Sequence, residues 1–128
     1  MKNNLKIFLT TSAFAVICAL AANNFAQVKT GGYKKVAKTD AGVVAAAEFA
    51  VKDVSKKKST EVTLQLVETA ERQTVAGTNY KLCIEIFRID DFDDAEVKEF
   101  VQTVIFRSLK NQMTLKSWTK VENCGEQK

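Results

Sequence analysis

Residues 62–86, VTLQLVETAERQTVAGTNYKLCIEI, are the stretch that decides the fold of this chain. Hydrophobic and polar residues alternate on both sides of the uncharged segment at residues 73–77. The hydrophobic positions are Val62, Leu64 and Leu66 before this segment and Tyr80, Leu82, Ile84 and Ile86 after it. A period of two is typical of half-buried β-strands, and Gly77 can adopt the positive φ that a tight turn needs. The stretch therefore predicts a β-hairpin with residues 73–77 as its loop and Val75 and Ala76 at its tip.

The residues before the hairpin have a helical period instead. Thr39 and Asp40 are good N-cap residues, and the segment that follows them to about Lys57 is rich in alanine. One helical face carries Val43, Ala46, Ala47, Ala50 and Val54, with Phe49 at its edge, and the opposite face carries Glu48, Lys52 and Lys56. This spacing predicts one amphipathic helix whose small side chains allow close packing on a sheet.

Three further segments have the composition of strands, at residues 33–36, 100–106 and 113–121. Consecutive strands joined by short loops favour an antiparallel meander, with one face free to receive the helix. We therefore predict an α+β fold in which one α-helix packs on a roughly five-stranded antiparallel sheet.

The composition excludes several kinds of activity. A chain of 128 residues with 46% hydrophobic and 27% charged residues suits one globular domain. The chain has no histidine, which excludes Ser-His-Asp and Cys-His catalysis and every zinc site that contains histidine. Its three cysteines cannot form a four-cysteine zinc site. We predict that the chain is not an enzyme and uses no cofactor or metal.

Residues 1–26 have the pattern of a secretory signal peptide, which we call the leader. Lys2 and Lys6 precede an uncharged apolar run, and small residues follow it at the two candidate cleavage sites, after Ala22 and after Ala26. We predict that the leader is removed and that residues 27–128 form a single secreted domain, in an extracellular or periplasmic compartment and without membrane attachment.

Two alternatives to a cleaved leader are a membrane anchor and a lipid anchor. The apolar run at residues 7–22 is shorter than the roughly 20 residues that a spanning helix requires. A lipid anchor would use Cys18, but the residue before it, Ile17, is bulky where such signals have a small residue. Both alternatives therefore fit the sequence less well than cleavage does.

Removal of the leader lowers the formal charge of the chain from +4 to +2, because 17 basic and 15 acidic residues remain. No stripe of lysine and arginine interleaved with aromatic residues is present, so we predict no nucleic-acid partner. The acidic run at residues 90–96 lacks the central glycine and the twelfth-position glutamate of an EF-hand. We interpret this run as a solvated loop.

Several motifs, in the same order along the chain, resemble those of the cystatins, inhibitors of papain-like cysteine proteases. Residues 73–77 match the Gln-x-Val-x-Gly signature of that family, and Gly31-Gly32 resembles the glycine of its N-terminal arm. Residues 47–53 are similar to the helix signature of plant cystatins, and residues 78–82 are similar to the third strand of the family. The resemblance covers about residues 31–124 and implies a cystatin-like fold.

The resemblance also implies a function, reversible and non-covalent inhibition of a papain-like cysteine protease. In the family, the N-terminal arm and two hairpins form a wedge that enters the protease cleft without reacting with the catalytic cysteine. In this chain the wedge residues would be Gly31 and Gly32 in the arm, Gln73, Thr74, Val75, Ala76 and Gly77 in the first hairpin, and Leu109, Lys110 and Asn111 in the second.

Fold does not fix function, so a second function stays open. The chain would then be a secreted cystatin-like module that binds a protein or peptide without inhibiting a protease. For either function the resemblance allows a monomer or a dimer made by exchange of the strands of the first hairpin. The loop at residues 55–60 contains no asparagine, so the legumain inhibition of some cystatins is not implied.

The second hairpin is where the chain departs from the family, which has Pro-Trp there, because this chain has no proline. Counting back from Cys124 places the turn at residues 108–112 and Trp118 within the last strand, as a packing residue. The alternative register has Ser117 and Trp118 at the turn and leaves a short final strand. We predict that loss of this aromatic anchor weakens the binding free energy of inhibition by about 1–3 kcal/mol.

Cys83 and Cys124 are the two cysteines that remain after the leader is removed. Two cysteines in an oxidising compartment favour one disulfide. Cys124 fits the terminal cysteine of secreted animal cystatins, whereas Cys83, in the predicted third strand, does not match the family. Pairing requires the tail to fold back across the sheet, and free thiols or disulfide-linked dimers are the alternatives.

Overall fold

The computed structural model describes residues 31–125. Its elements are β1 (Lys34–Lys35), α1 (Ala41–Lys58), β2 (Val62–Val75), β3 (Gly77–Ile89), β4 (Glu96–Arg107) and β5 (Met113–Val121). The five strands form one antiparallel sheet in the order β1-β2-β3-β4-β5, and α1 packs on one face of it. This architecture confirms the predicted α+β fold and the predicted bounds of the last strand.

The leader at residues 1–26, with Cys18 and both candidate cleavage sites, lies outside the described residues. Within residues 31–125, no helix is both long enough and apolar enough to cross a membrane.

Helix α1 begins and ends at polar side chains. The Asp40 carboxylate accepts hydrogen bonds from the backbone N–H groups of Gly42 (2.9 Å) and Val43 (3.3 Å), which makes it the N-cap. At the other end, Ser59 adopts a left-handed conformation after three lysines that complement the helix dipole. The buried residues of the helix are Val43, Ala46, Ala47, Ala50, Val51 and Val54. They confirm the predicted apolar face and extend it by Val51.

The core lies between this helical face and the inward side chains of the central strands. The inward side chains that are fully buried include Tyr80, Leu82, Ile84 and Ile86 of β3 and Val101 and Ile105 of β4. The period-two pattern after Gly77 therefore predicted the inner face of β3 correctly.

Strand β2 differs from its prediction because it contains two irregularities. Its pairing with β3 shifts between Leu64 and Leu66 and again between Val67 and Thr69. Each shift inserts one extra residue, so the side chains beyond it change faces. Leu66, predicted to face inward with Leu64, is 44% exposed, and Val67 packs against the core in its place.

The disulfide crosses the outer face of the sheet. Cys83 and Cys124 are bonded, with their Cα atoms 5.6 Å apart. Strand β4 lies between β3 and β5, so the tail after β5 folds back over β4 to reach Cys83. The structure thereby confirms the predicted pairing within one chain. It shows neither of the alternatives, free thiols or a disulfide-linked dimer.

Candidate functional site

Three segments that the sequence separates widely meet at one end of the sheet. In β1, Lys34 lies opposite Arg72 of β2, which places the preceding glycines beside the end of β2. In β4, Arg107 lies opposite Thr78 and Met113, so the β4–β5 turn follows directly beside the β2–β3 turn. We call this end, formed by Gly31, Gly32, residues 73–77 and residues 108–112, the tip edge. It contains every residue that the resemblance assigned to the wedge.

The β2–β3 turn is tighter than predicted. Residues 73–77 were expected to form a loop, but β2 continues to Val75 and β3 begins at Gly77. Gln73 pairs with Asn79 and Thr74 with Thr78, which leaves Ala76 as the single residue outside the ladder. Ala76 and Thr74 are exposed, and Val75 is half-buried. Pairing of β2 with β3 therefore fixes most of the Gln-x-Val-x-Gly signature before any partner binds.

Gly77 connects the first turn to the second. Its φ is +119°, a conformation that other residues rarely adopt. A Cβ atom there would lie 2.5 Å from the Arg107 carbonyl oxygen and 2.8 Å from the Phe106 ring. The glycine of the signature is thus required by contact with the end of β4 as well as by its turn.

The β4–β5 turn confirms the predicted position at residues 108–112. The Asn111 N–H donates to the Ser108 carbonyl (3.0 Å), and the Ser108 hydroxyl accepts from the N–H groups of Lys110 and Gln112. Asn111 has φ +64°, which asparagine tolerates well. Leu109 is 82% exposed at the apex of this turn. The second turn therefore presents an apolar side chain at the tip edge.

Trp118 lies within β5, opposite Thr103 of β4, and packs against the core. This confirms its prediction as a packing residue. The alternative register, with Ser117 and Trp118 at the turn, is wrong.

The arm is held to the first hairpin by side chains. The Gln73 amide Nε2 donates to the Gly31 carbonyl oxygen at 2.8 Å, and Asn79 Nδ2 donates to Gln73 Oε1 at 3.0 Å. A cleft of about 270 Å³, lined by both glycines, Lys34, Lys35, Arg72 and Thr74, runs beside the arm. Asn79 is not among the site residues predicted from the sequence, and only the hairpin register, which places it opposite Gln73, identifies it.

A charged cluster lies at the opposite end of the molecule. The Glu99 carboxylate accepts a hydrogen bond from Arg88 Nε at 2.6 Å and lies 3.2 Å from Lys120 Nζ. Beside it, under the C-terminal end of α1, is a cavity of about 380 Å³. Burial by itself raises the pKa of Glu99, but the hydrogen bonds from Arg88 and Lys120 outweigh it and hold that pKa below its ordinary value. This cluster is distant from the tip edge and contributes to stability instead.

The acidic run forms the β3–β4 loop. The carboxylates of Asp90 and Asp93 accept hydrogen bonds from backbone N–H groups of the same loop. Within residues 31–125, no three histidine, cysteine, aspartate or glutamate side chains are arranged to hold a metal ion. The interpretation as a solvated loop agrees with the exposure of these residues.

Comparison with known proteins finds similar sequences and similar structures. No family model matches the chain. The curated protein "Cysteine proteinase inhibitor 5" of Arabidopsis thaliana is 34% identical over 83 residues, which are 64% of this chain and 66% of that protein. The match therefore spans just under two thirds of the length of that relative.

Two solved structures share the fold. A salivary cystatin from the soft tick Ornithodoros moubata superposes with a TM-score of 0.59 at 27% identity, over 73% of this chain and all of the tick chain. Dimeric human cystatin F superposes with a TM-score of 0.57 at 18% identity, over 78% of this chain and 94% of the human chain. At 18% identity, the similarity to human cystatin F shows a shared fold alone.

The fold of the chain is that of the cystatins. In sequence the chain is similar to a curated cysteine proteinase inhibitor and to a tick cystatin. The prediction that the chain is not an enzyme agrees with this similarity to inhibitors.

Proposed function

We propose that the chain is a reversible, non-covalent inhibitor of papain-like cysteine proteases that acts through its tip edge. The observation that carries this proposal is the convergence of the arm, the Val75–Gly77 turn and the Leu109 turn at one end of the sheet. A plant relative named as a cysteine proteinase inhibitor supports the same class of target.

The proposed mechanism is docking of preformed turns. Both turns are fixed by strand pairing and by the contact at Gly77, so they lose little conformational entropy on binding. Val75 and Leu109 would bury apolar surface in the protease cleft and exclude water from it. The chain supplies no reacting group, and the catalytic cysteine of the protease stays unmodified.

The proposal extends to location and assembly. We propose that the leader is cleaved and that residues 27–128 act as a secreted domain. The Cys83–Cys124 bond supports an oxidising compartment, extracellular or periplasmic, since such bonds persist there. In the proposed active form the domain is a monomer, because exchange of the β2–β3 strands would remove the turn that binds.

Titration of papain with the chain expressed from Gln27 tests this function. We expect reversible inhibition, with the inhibitor recovered uncleaved. Val75→Asp should weaken inhibition by at least about a hundredfold, because it places a charge at the buried centre of the interface. Leu66→Asp is the matched control, since Leu66 is an exposed leucine of the same strand, on the face away from α1.

Two results would contradict the proposal. A folded sample that does not inhibit at micromolar concentration would favour the second function, a binding module without inhibition. Inhibition that survives Val75→Asp would show that the tip edge is not the surface that binds.

A further inference from the structure

Gln73 connects the arm at Gly31 to the first hairpin, two segments of the tip edge that are otherwise joined weakly. Strand β1 contains two residues, so backbone pairing alone provides little restraint on the arm. The Gln73 side chain adds a hydrogen bond from its Nε2 to the Gly31 carbonyl oxygen, across 42 residues of sequence. Its other end accepts from Asn79, the residue directly opposite it in β3.

The donor and acceptor groups of Gly31, Gln73 and Asn79 determine the direction of both hydrogen bonds. A backbone carbonyl oxygen can only accept, so the Gln73 amide must present its NH₂ group to Gly31. Its oxygen then faces Asn79, which must donate in turn. In such a chain each bond polarises the next, and Asn79 holds Gln73 in the one amide orientation that binds the arm.

We propose that Gln73, held by Asn79, is a positioning residue that fixes the arm at Gly31 against the first hairpin before a protease binds. This inference rests on the proposed function, because it assigns to Gln73 a role inside that site. Its effect on affinity is exerted through the arm, since an arm already held in place costs less ordering when the complex forms.

Variants that keep the size of the side chains separate this role from direct contact with a protease. Gln73→Met removes both hydrogen bonds with little change in length. Asn79→Asp replaces the donor with an acceptor, so the Gln73 NH₂ group turns toward Asp and away from Gly31. Gln65→Met is the matched control, because Gln65 is an exposed glutamine of the same strand.

A double-mutant cycle with the arm tests the coupling. In the chain that begins at Gln27, Gln73→Met should weaken papain inhibition by about three- to tenfold, the net value of one or two hydrogen bonds. In a chain that begins at Tyr33, which retains every described strand and the helix, the same substitution should have no effect. An equal loss with and without the arm, or no loss in either, would overturn the inference.

A second measurement does not depend on inhibition. The ¹⁵N heteronuclear NOE of the Gly31 and Gly32 amides, recorded for the unbound chain, reports the mobility of the arm. We expect it to fall in Gln73→Met and Asn79→Asp and to be unchanged in Gln65→Met. Unchanged values in all three variants would overturn the positioning role even if the chain inhibits papain. A fall in a chain that does not inhibit papain would support the positioning role and refute the proposed function alone.

Discussion

Gly77 and Gly32 lie at the same edge of the sheet under different physical constraints. Gly77 has a positive φ and no room for a Cβ atom beside Arg107 and Phe106. At Gly32 a Cβ atom would have no neighbour within 4 Å, and its φ is not in the left-handed region. In the unbound protein only the first of these two positions therefore requires glycine.

Alanine at these two positions should have different effects, on stability at Gly77 and on inhibition at Gly32. Gly77→Ala should lower the free energy of unfolding by about 2–4 kcal/mol, from backbone strain and overpacking together. Gly32→Ala should leave stability unchanged within about 0.5 kcal/mol and weaken inhibition of papain, because the added methyl group would collide only in the complex. Urea unfolding and inhibitor titration of the two variants measure both effects. Equal stability of Gly77→Ala and the wild type would refute the close contact with β4.

Glu99 shows how one partly buried carboxylate makes the free energy of unfolding depend on pH. Its pKa is depressed in the folded protein by Arg88 and Lys120, against the effect of burial. A carboxylate with a depressed folded-state pKa stabilises the fold above its unfolded pKa, near 4.5, and this contribution is lost as pH falls through the folded value.

We therefore expect the free energy of unfolding to fall as the pH drops below about 4.5, and to fall less steeply in Glu99→Gln. Glu96→Gln, an exposed glutamate of the same strand, serves as the control. Urea unfolding at a series of pH values measures the difference. Parallel pH profiles for wild type and Glu99→Gln would argue against the cluster as the source of the dependence.

At the scale of elements, the second hairpin decides how strongly the tip edge can bind. Its turn is ordered by hydrogen bonds from Lys110 and Gln112 to the Ser108 hydroxyl and carries Leu109 at its apex. A leucine buries less surface than the tryptophan that the family carries on this hairpin, and it cannot donate a hydrogen bond.

Substitution of Leu109 should change affinity in both directions. Leu109→Ala should weaken inhibition of papain by about three- to tenfold, and Leu109→Trp should strengthen it by a similar factor. Neither change should alter stability, since the side chain is 82% exposed. Inhibition constants and melting temperatures of the pair test this. If both variants inhibit like the wild type, the second turn does not touch the protease.

At the scale of the whole molecule, the disulfide secures the sheet on the face away from the helix. The bond joins residues 41 positions apart and ties the tail after β5 to the central strand β3. It is distant from the tip edge, because Cys83 lies in the middle of β3.

Removing this bond should therefore affect stability and not binding. In Cys83→Ala/Cys124→Ala, the free energy of unfolding should fall by about 4 kcal/mol on the chain-entropy model. Inhibition of papain should be unchanged at temperatures where the variant is folded. Urea unfolding with an inhibition assay at 25 °C measures both. A variant as stable as the wild type would show that the bond contributes nothing to the native fold.

The sequence by itself determined the elements of this protein and their order. Alternation after Gly77 predicted the inner face of β3, and helical spacing predicted the buried face of α1. These features depend on the local periods of helix and strand, which a sequence displays directly. The residues of the tip edge followed from the resemblance to a family.

Tertiary structure alone decided how those elements meet. The shifts that turn Leu66 outward and Val67 inward depend on how β2 curves against β3, and no local pattern encodes them. The contact of Gly77 with β4 and the hydrogen bonds that join Asn79, Gln73 and Gly31 link residues distant in sequence. Such contacts depend on the register between strands, which arises only when the whole sheet packs against its helix.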